Sequence, residues 1–232
     1  TPVLVDPDYT YIYLEVFFKY NPNVTNLQVD AIENIVRSAI ASYNNSELKR
    51  FDGVFRHSNL QSTVDNAEVS IINSTVRVKM KKRFVPSLAS ETRYEINFSA
   101  PIYTSSSNES VLESTEFSYR GATCQLSDYI DNSGNRKVQI IRVSGSTVAT
   151  VERDVGDIDE ASGRIVLNAF APESISGNYI ELTVSPDSND LAPKRNELLT
   201  ILVNDITISG EVDTMITGGS AAGIDYTTTP RH

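Results

Sequence analysis

The chain has 232 residues, 40% of them hydrophobic and 22% charged; 30 acidic against 20 basic side chains leave a formal net charge of −10 and a pI near 4.7. That apolar content excludes a disordered chain, 11 glycines without heptads exclude a collagen-like or coiled-coil protein, and the acidity argues against a nucleic-acid partner, which needs a basic footprint. At this length a chain buries roughly 70–75% of its unfolded surface, enough for one large domain or two small ones.

Tyr9 to Tyr20 reads as the clearest strand: Ile12, Leu14, Val16, Phe18 and Tyr20 share one face, and Tyr11, Tyr13, Glu15, Phe17 and Lys19 the other. Two partly aromatic faces predict a strand covered on both sides, central in its sheet. Asn21-Pro22-Asn23 ends it. Thr25 and Gln28 then stand at capping-box spacing, and Ile32, Ile35, Val36, Ala39, Ile40 and Tyr43 recur at helical steps as far as Asn44-Asn45-Ser46. Ser58 with Gln61 repeats the capping spacing and predicts a shorter helix towards Val64. Period two returns between Glu68 and Val85, where Val76, Val78 and Met80 alternate with Arg77, Lys79 and Lys81, and Asn73-Ser74 predicts a turn within the stretch. Thr92 to Tyr103 gives another strand, and a polar loop follows at Thr104–Ser110.

Beyond that loop the helical signal disappears. Short strands are predicted near 114–119, 123–130, 137–143, 147–153, 163–170 and 178–184, with hairpin-like turns at Asp131–Asn135 and Glu160–Gly163. Leu198 to Ile208 reads as one apolar strand that either returns to the first sheet or closes the second. The expectation is an α+β fold: a mixed sheet with two packed helices, plus a β-rich subdomain inserted before the last strand. Residues 1–104 form the α+β subdomain, 105–186 the β-rich subdomain, 187–217 the returning strand segment and 218–232 a flexible tail. The start at Thr1-Pro2-Val3, with no initiator Met and no signal-peptide pattern, reads as part of something longer.

The chemistry is quiet. No P-loop, dinucleotide fingerprint or zinc spacing occurs, so no cofactor, metal or catalytic residue is expected. Apolar stretches are strand-sized and interrupted by charge, so no membrane partner is expected either. Cys124 alone cannot close an intramolecular disulfide, which favours a reducing compartment, and reads as a packing residue. The Asn-x-Ser/Thr triplets headed by Asn23, Asn44, Asn73, Asn97 and Asn108 read as chance in a chain rich in these residues. His57, the one internal histidine, precedes a predicted helix start rather than a nucleophile. Asp131, Ser133 and Asn135 have calcium-loop spacing, yet Gly134 is out of place and Arg142 stands where a bidentate Glu belongs, so a turn is the better reading. Asp154, Asp157, Asp159 and Glu160 read as an exposed hairpin, with oxygen ligation as the alternative. The one concentrated basic patch is Lys79-Met80-Lys81-Lys82-Arg83. Lys79, Lys81, Lys82 and Arg83 are either a solvated strand face or edge or interface candidates for an acidic neighbour, and the tail could order on such a neighbour.

Three stretches, in order, carry a resemblance. Val5-Asp6-Pro7-Asp8-Tyr9 leads into a strand ending Lys19-Tyr20-Asn21-Pro22; Phe55-Arg56-His57-Ser58-Asn59-Leu60 precedes a short helix and Val64-Asp65; Pro193-Lys194-Arg195-Asn196-Glu197-Leu198-Leu199 precedes the last strand. Together they resemble the C-terminal part of the baseplate wedge subunit of T-even-like contractile-tailed bacteriophages, related to the wider baseplate J-like family. Asp154-Val155-Gly156-Asp157-Ile158-Asp159 followed by Gly163-Arg164-Ile165-Val166 resembles a hairpin common in that group. The resemblance implies a structural protein without enzymatic activity, located in the virion tail baseplate and assembled in the host cytoplasm. It implies self-association into dimers that join as a ring around the hub, contacts with other wedge proteins and rearrangement on sheath contraction. It also implies that this chain lacks the N-terminal part of such a subunit. The alternative from the residues alone is a β-rich ligand-binding or adhesin module; the absence of Trp weakens a sugar-stacking version, though Tyr could substitute. An unrecognised enzyme ranks behind both.

Overall fold

Strict alternation gives the first strand, Asp8–Tyr20 (β1), two different faces: every even residue from Thr10 to Tyr20 is buried, and the odd ones from Tyr11 to Lys19 are half-buried. The computed structural model describes residues 8–50, 52–98, 100–104, 109–194 and 196–215. Helix α1 (Val29–Tyr43) buries Ile32, Val36, Ile40 and Tyr43, and a π-helical turn, Asn44–Leu48, continues it. Helix α2 (His57–Asp65) buries Leu60 and Val64. Strands follow as β2 (Ile71–Phe84), β3 (Thr92–Asn97), β4 (Leu112–Ser114), β5 (Phe117–Tyr119), β6 (Ala122–Ile130) and β7 (Arg136–Ser144). The remainder are β8 (Thr147–Asp159), β9 (Arg164–Phe170), β10 (Ser174–Ile175), β11 (Ile180–Val184), β12 (Glu197–Ile201) and β13 (Thr207–Val212).

Among the described residues these strands form two sheets. The first runs β12-β1-β2-β11-β4; β2 pairs antiparallel with one edge of β1, while β12 and β13 run parallel to successive halves of its other edge. The second runs β10-β5-β6-β7-β8-β9-β3 and is antiparallel throughout. The expected α+β mixed sheet with two packed helices is therefore corrected: the chain is mostly β, 49% strand against 14% helix, in two sheets with a curled half-barrel. The reason lies in the pattern itself. Helical periodicity is confined to the segment between Ile32 and Val64, and nearly all that follows Asp65 alternates with period two and pairs with neighbouring hairpins.

Local expectations differ in places. Neither predicted capping box forms: α1 begins after Gln28 without a side-chain cap, and Thr25 Oγ1 instead accepts the Leu27 N–H at 3.2 Å. Helix α2 starts one residue before Ser58, and the His57 N–H goes to Asp190 Oδ1 at 2.9 Å, a carboxylate brought in by the fold rather than by local sequence. Strand β2 runs unbroken through Asn73-Ser74, and the predicted Leu198–Ile208 strand divides into β12 and β13, both returning to β1. The predicted tail at 218–232 lies outside the described residues.

The outer edge of β12 and β13 is covered by side chains. Asn44 accepts the Ile201 N–H at 2.9 Å and donates to the Ile201 carbonyl at 3.2 Å, imitating a strand neighbour. Arg37 donates to the Val203 carbonyl at 2.7 Å, and Glu33 Oε1 accepts the Gly210 N–H at 3.2 Å. Gly210 itself is dictated by packing. A Cβ there would stand 2.4 Å from Phe18 Cζ and 2.9 Å from Val29 Cγ2, and Phe18 is fully buried. Gly210→Ala is expected to destabilise the fold by about 1–3 kcal/mol through overpacking, read as a lower urea midpoint at unchanged m-value.

Candidate functional site

Alternation on β2 divides the basic stretch. Lys79, Lys81 and Arg83 lie on the face that carries Tyr11, Tyr13 and Glu15 of β1; Tyr13 is paired with Lys79 and Tyr11 with Lys81. Lys82 points the other way and its side chain is only 4% exposed. Each basic residue meets an acidic one. Lys79 Nζ is 3.3 Å from Glu15 Oε1, Lys81 Nζ is 2.7 Å from Glu181 Oε1, and Arg83 Nε donates to Glu181 Oε2 at 2.7 Å. Lys82 Nζ bonds Asp8 at 2.6 Å and Glu197 at 2.8 Å, and Glu197 also accepts the Thr10 hydroxyl. Aromatic rings complete the open face: Lys81 Nζ sits 4.5 Å from the Tyr13 centroid, and the Arg83 guanidinium lies 4.5 Å from Tyr11 and 4.4 Å from Tyr179.

Glu181 is the hinge of this arrangement, a single carboxylate held by two cations and barely exposed. Burial pushes its carboxyl up, but the hydrogen bonds from Lys81 and Arg83 outweigh burial and leave it below the ordinary glutamate range. A carboxyl depressed in the folded state contributes stability that is complete above its unfolded pKa of about 4.3 and is lost as pH falls through the folded value. Glu181→Gln is accordingly expected to flatten the acid limb of a plot of urea midpoint against pH below about pH 4.5. The same face carries a groove of about 500 Å³ lined by Glu15, Phe17, Thr75, Arg77, Thr207 and Ser209. Arg77 is exposed there and has no ion-pair partner among the described residues.

The other residues singled out from sequence are scattered. The His57 ring Nε2 bonds the Val76 carbonyl at 2.8 Å, fixing it against β2. Cys124 is fully buried in β6, and burial raises its thiol pKa. Asp131 Oδ1 accepts the N–H groups of Ser133 and Asn135, both at 2.8 Å, closing the β6–β7 turn. In the acidic cluster Asp154 accepts the Tyr129 hydroxyl at 2.7 Å, Asp157 pairs with Lys137, Asp159 accepts the Ser162 N–H at 3.2 Å, and Glu160 pairs with Arg136 at 3.0 Å. Among the described residues no group of three or more His, Cys, Asp or Glu is placed to hold a metal.

Sequence reading missed the acidic counterparts of the basic stretch. Glu181 stands in the apolar run Ile180–Val184 and Glu197 opens Glu197–Ile201. A lone acid inside a strand-sized apolar run was the available signal. What it could not supply was which cation it would meet, because Lys82 and Glu197 come together only when β12 returns to β1.

Residues 8–83 match the family model described as "Baseplate structural protein gp6, C-terminal domain III". The match supports a structural role in a phage baseplate. It covers about a third of the chain, from the start of β1 to Arg83 near the end of β2, and so contains both helices and the whole basic stretch. It does not point to the baseplate J-like family. No curated protein matches the chain.

Proposed function

We propose that this chain is a structural subunit of a phage tail baseplate wedge, that it self-associates to build the ring around the hub, and that it takes part in the rearrangement linked to contraction. The observation that carries this reading is the family match itself, which spans the consecutive elements β1, α1, α2 and β2. That segment has a closed face against the helices and an open face that carries Tyr11, Tyr13, Arg77 and Arg83, and tyrosine and arginine are residue types favoured at the centres of interfaces. In this reading the work of the protein is binding, its partners are further copies and other baseplate wedge proteins, and the face bearing Lys79, Lys81 and Arg83 meets an acidic neighbour. Its location is the virion tail baseplate, after assembly in the host cytoplasm.

Two measurements test this. Mass photometry of the full chain across a concentration series is expected to show dimers or larger rings. Electron microscopy of tail baseplates carrying a tagged chain is expected to place the tag on a repeating ring position. A chain that is monomeric at every concentration and absent from purified baseplates would overturn the proposal.

A further inference from the structure

On the open face Lys79 and Lys81 each stand beside one acid and Arg77 stands without an ion pair among the described residues, whereas Arg83 is fixed at one end and uncommitted at the other. Its Nε is committed to Glu181 and its plane is held between the rings of Tyr11 and Tyr179. Neither terminal nitrogen donates a hydrogen bond among the described residues: the Asp205 carboxylate stands 3.7 Å from Nη2, too far for one. Arg83 lines a cleft of about 450 Å³. Around it stand the exposed Lys49 after the π-helical turn, Thr200 at the end of β12, and Asn204 and Asp205 in the β12–β13 connection. A guanidinium usually loses side-chain entropy when it binds. Here stacking and the Glu181 bond fix its orientation beforehand, so a planar two-oxygen acceptor would gain two parallel charge-assisted bonds at little ordering cost.

We propose that this cleft is a carboxylate socket, in which Arg83 receives an aspartate or glutamate side chain from an acidic segment of a neighbouring baseplate protein, with Lys49 adding charge at the rim. The incoming carboxylate displaces the distant Asp205 contact and takes both terminal nitrogens. This deepens, and rests on, the assembly role proposed above. It also distinguishes Arg83 from the rest of the basic stretch: Lys82 is buried with its own acids, and Lys79 and Lys81 are neutralised at the sheet surface.

The test uses the 232-residue chain and a glutamate-rich decapeptide, with its glutamine counterpart as control. Arginine side-chain ¹⁵N resonances are followed by NMR during titration. Arg83 is expected to shift saturably with the glutamate peptide alone. Arg83→Lys, which keeps the charge and loses the fork, is expected to weaken binding about tenfold. Asp205→Asn, which removes the competing carboxylate, is expected to tighten it. The opposite signs separate a socket from general loss of structure, and the melting temperature of each variant is recorded alongside. No shift at Arg83, equal shifts at Arg77 and Arg93, or an Asp205→Asn variant that binds no better would overturn the socket. A second arm measures incorporation into baseplates: normal incorporation of Arg83→Lys overturns the socket alone, whereas wild-type chain that never enters baseplates overturns the assembly role on which it rests.

Discussion

Asp128→Ala is expected to lower the unfolding free energy by about 3–5 kcal/mol, the range for removing one partner of a buried ion pair. The Asp128 carboxylate lies on β6, in the second sheet, with its side chain 0% exposed and bonded to the Arg136 guanidinium, itself 3% exposed. Its other oxygen accepts the Ser110 hydroxyl at 2.6 Å and the N–H groups of Val111 and Leu112 at 2.8 and 2.9 Å. Leu112 opens β4, the terminal strand of the first sheet. One carboxylate therefore joins the two sheets, and its loss leaves the buried Arg136 with the partly exposed Glu160 as its counter-ion and strands two backbone donors. Equilibrium urea unfolding measures the cost. Amide exchange locates it: the Val111 and Leu112 protons are expected to exchange much faster, while those in the middle of β1 keep their relative protection. Asp128→Asn retains an acceptor and is expected to fall between wild type and alanine.

Lys82→Met is expected to cost about as much, roughly 3–5 kcal/mol, with a fall in Tm on the order of 10 °C for a chain of this size. The replacement is close to the native shape, so the loss comes from electrostatics. It takes the ammonium from Glu197, whose side chain is 6% exposed. Glu197 lies on β12 and Lys82 on β2, with β1 between them, so this pair fastens the returning strand across the central one. Glu197 keeps the Thr10 hydroxyl and the Lys194 N–H at 3.2 Å among its donors, but it loses the ammonium 2.8 Å away that balances its charge across the sheet. The double variant Lys82→Met/Glu197→Gln is therefore expected to recover most of the loss, because glutamine needs no counter-ion: its single oxygen can accept the Lys194 N–H while its amide NH2 donates to the Thr10 hydroxyl oxygen. A double variant no more stable than Lys82→Met alone would show that the cost lies in packing.

The strands were legible in the sequence wherever burial alternates. β1 is central as expected, but it is covered on its even-numbered face alone, Tyr11 to Lys19 lying half-buried on an open face; the hairpin turn at Asp131–Asn135 announces itself by residue type. The balance of the fold was less legible. Two amphipathic helices make a strong local signal, whereas β4, β5 and β10 are two or three residues long and exist only because partners across the sheet hold them. Helix starts were misplaced for a related reason: Asp190 takes the first α2 donor, and no local spacing encodes a cap delivered from so far along the chain. At the candidate site the basic residues were visible, since five residues with four cations stand out in an acidic chain. Their separation into three on the surface and one inside follows from alternation. The ring of Tyr179 and the carboxylates of Glu181 and Asp205 do not, because contacts across strands depend on register rather than on spacing.

The covering of β12 and β13 by Glu33, Arg37 and Asn44 constrains how this molecule can be joined to another. An exposed ladder is an indiscriminate adhesive: any extended segment can zip onto it, and the resulting seam has no natural end. Here the backbone of Ile201, Val203 and Gly210 is already occupied by a helix that belongs to the same chain. A neighbour arriving from that direction meets side chains, which discriminate, and which release one another without unravelling a sheet. A change at Asn44 would uncover the Ile201 backbone alone, with Arg37 and Glu33 still holding Val203 and Gly210, so the boundary is guarded at three separate points.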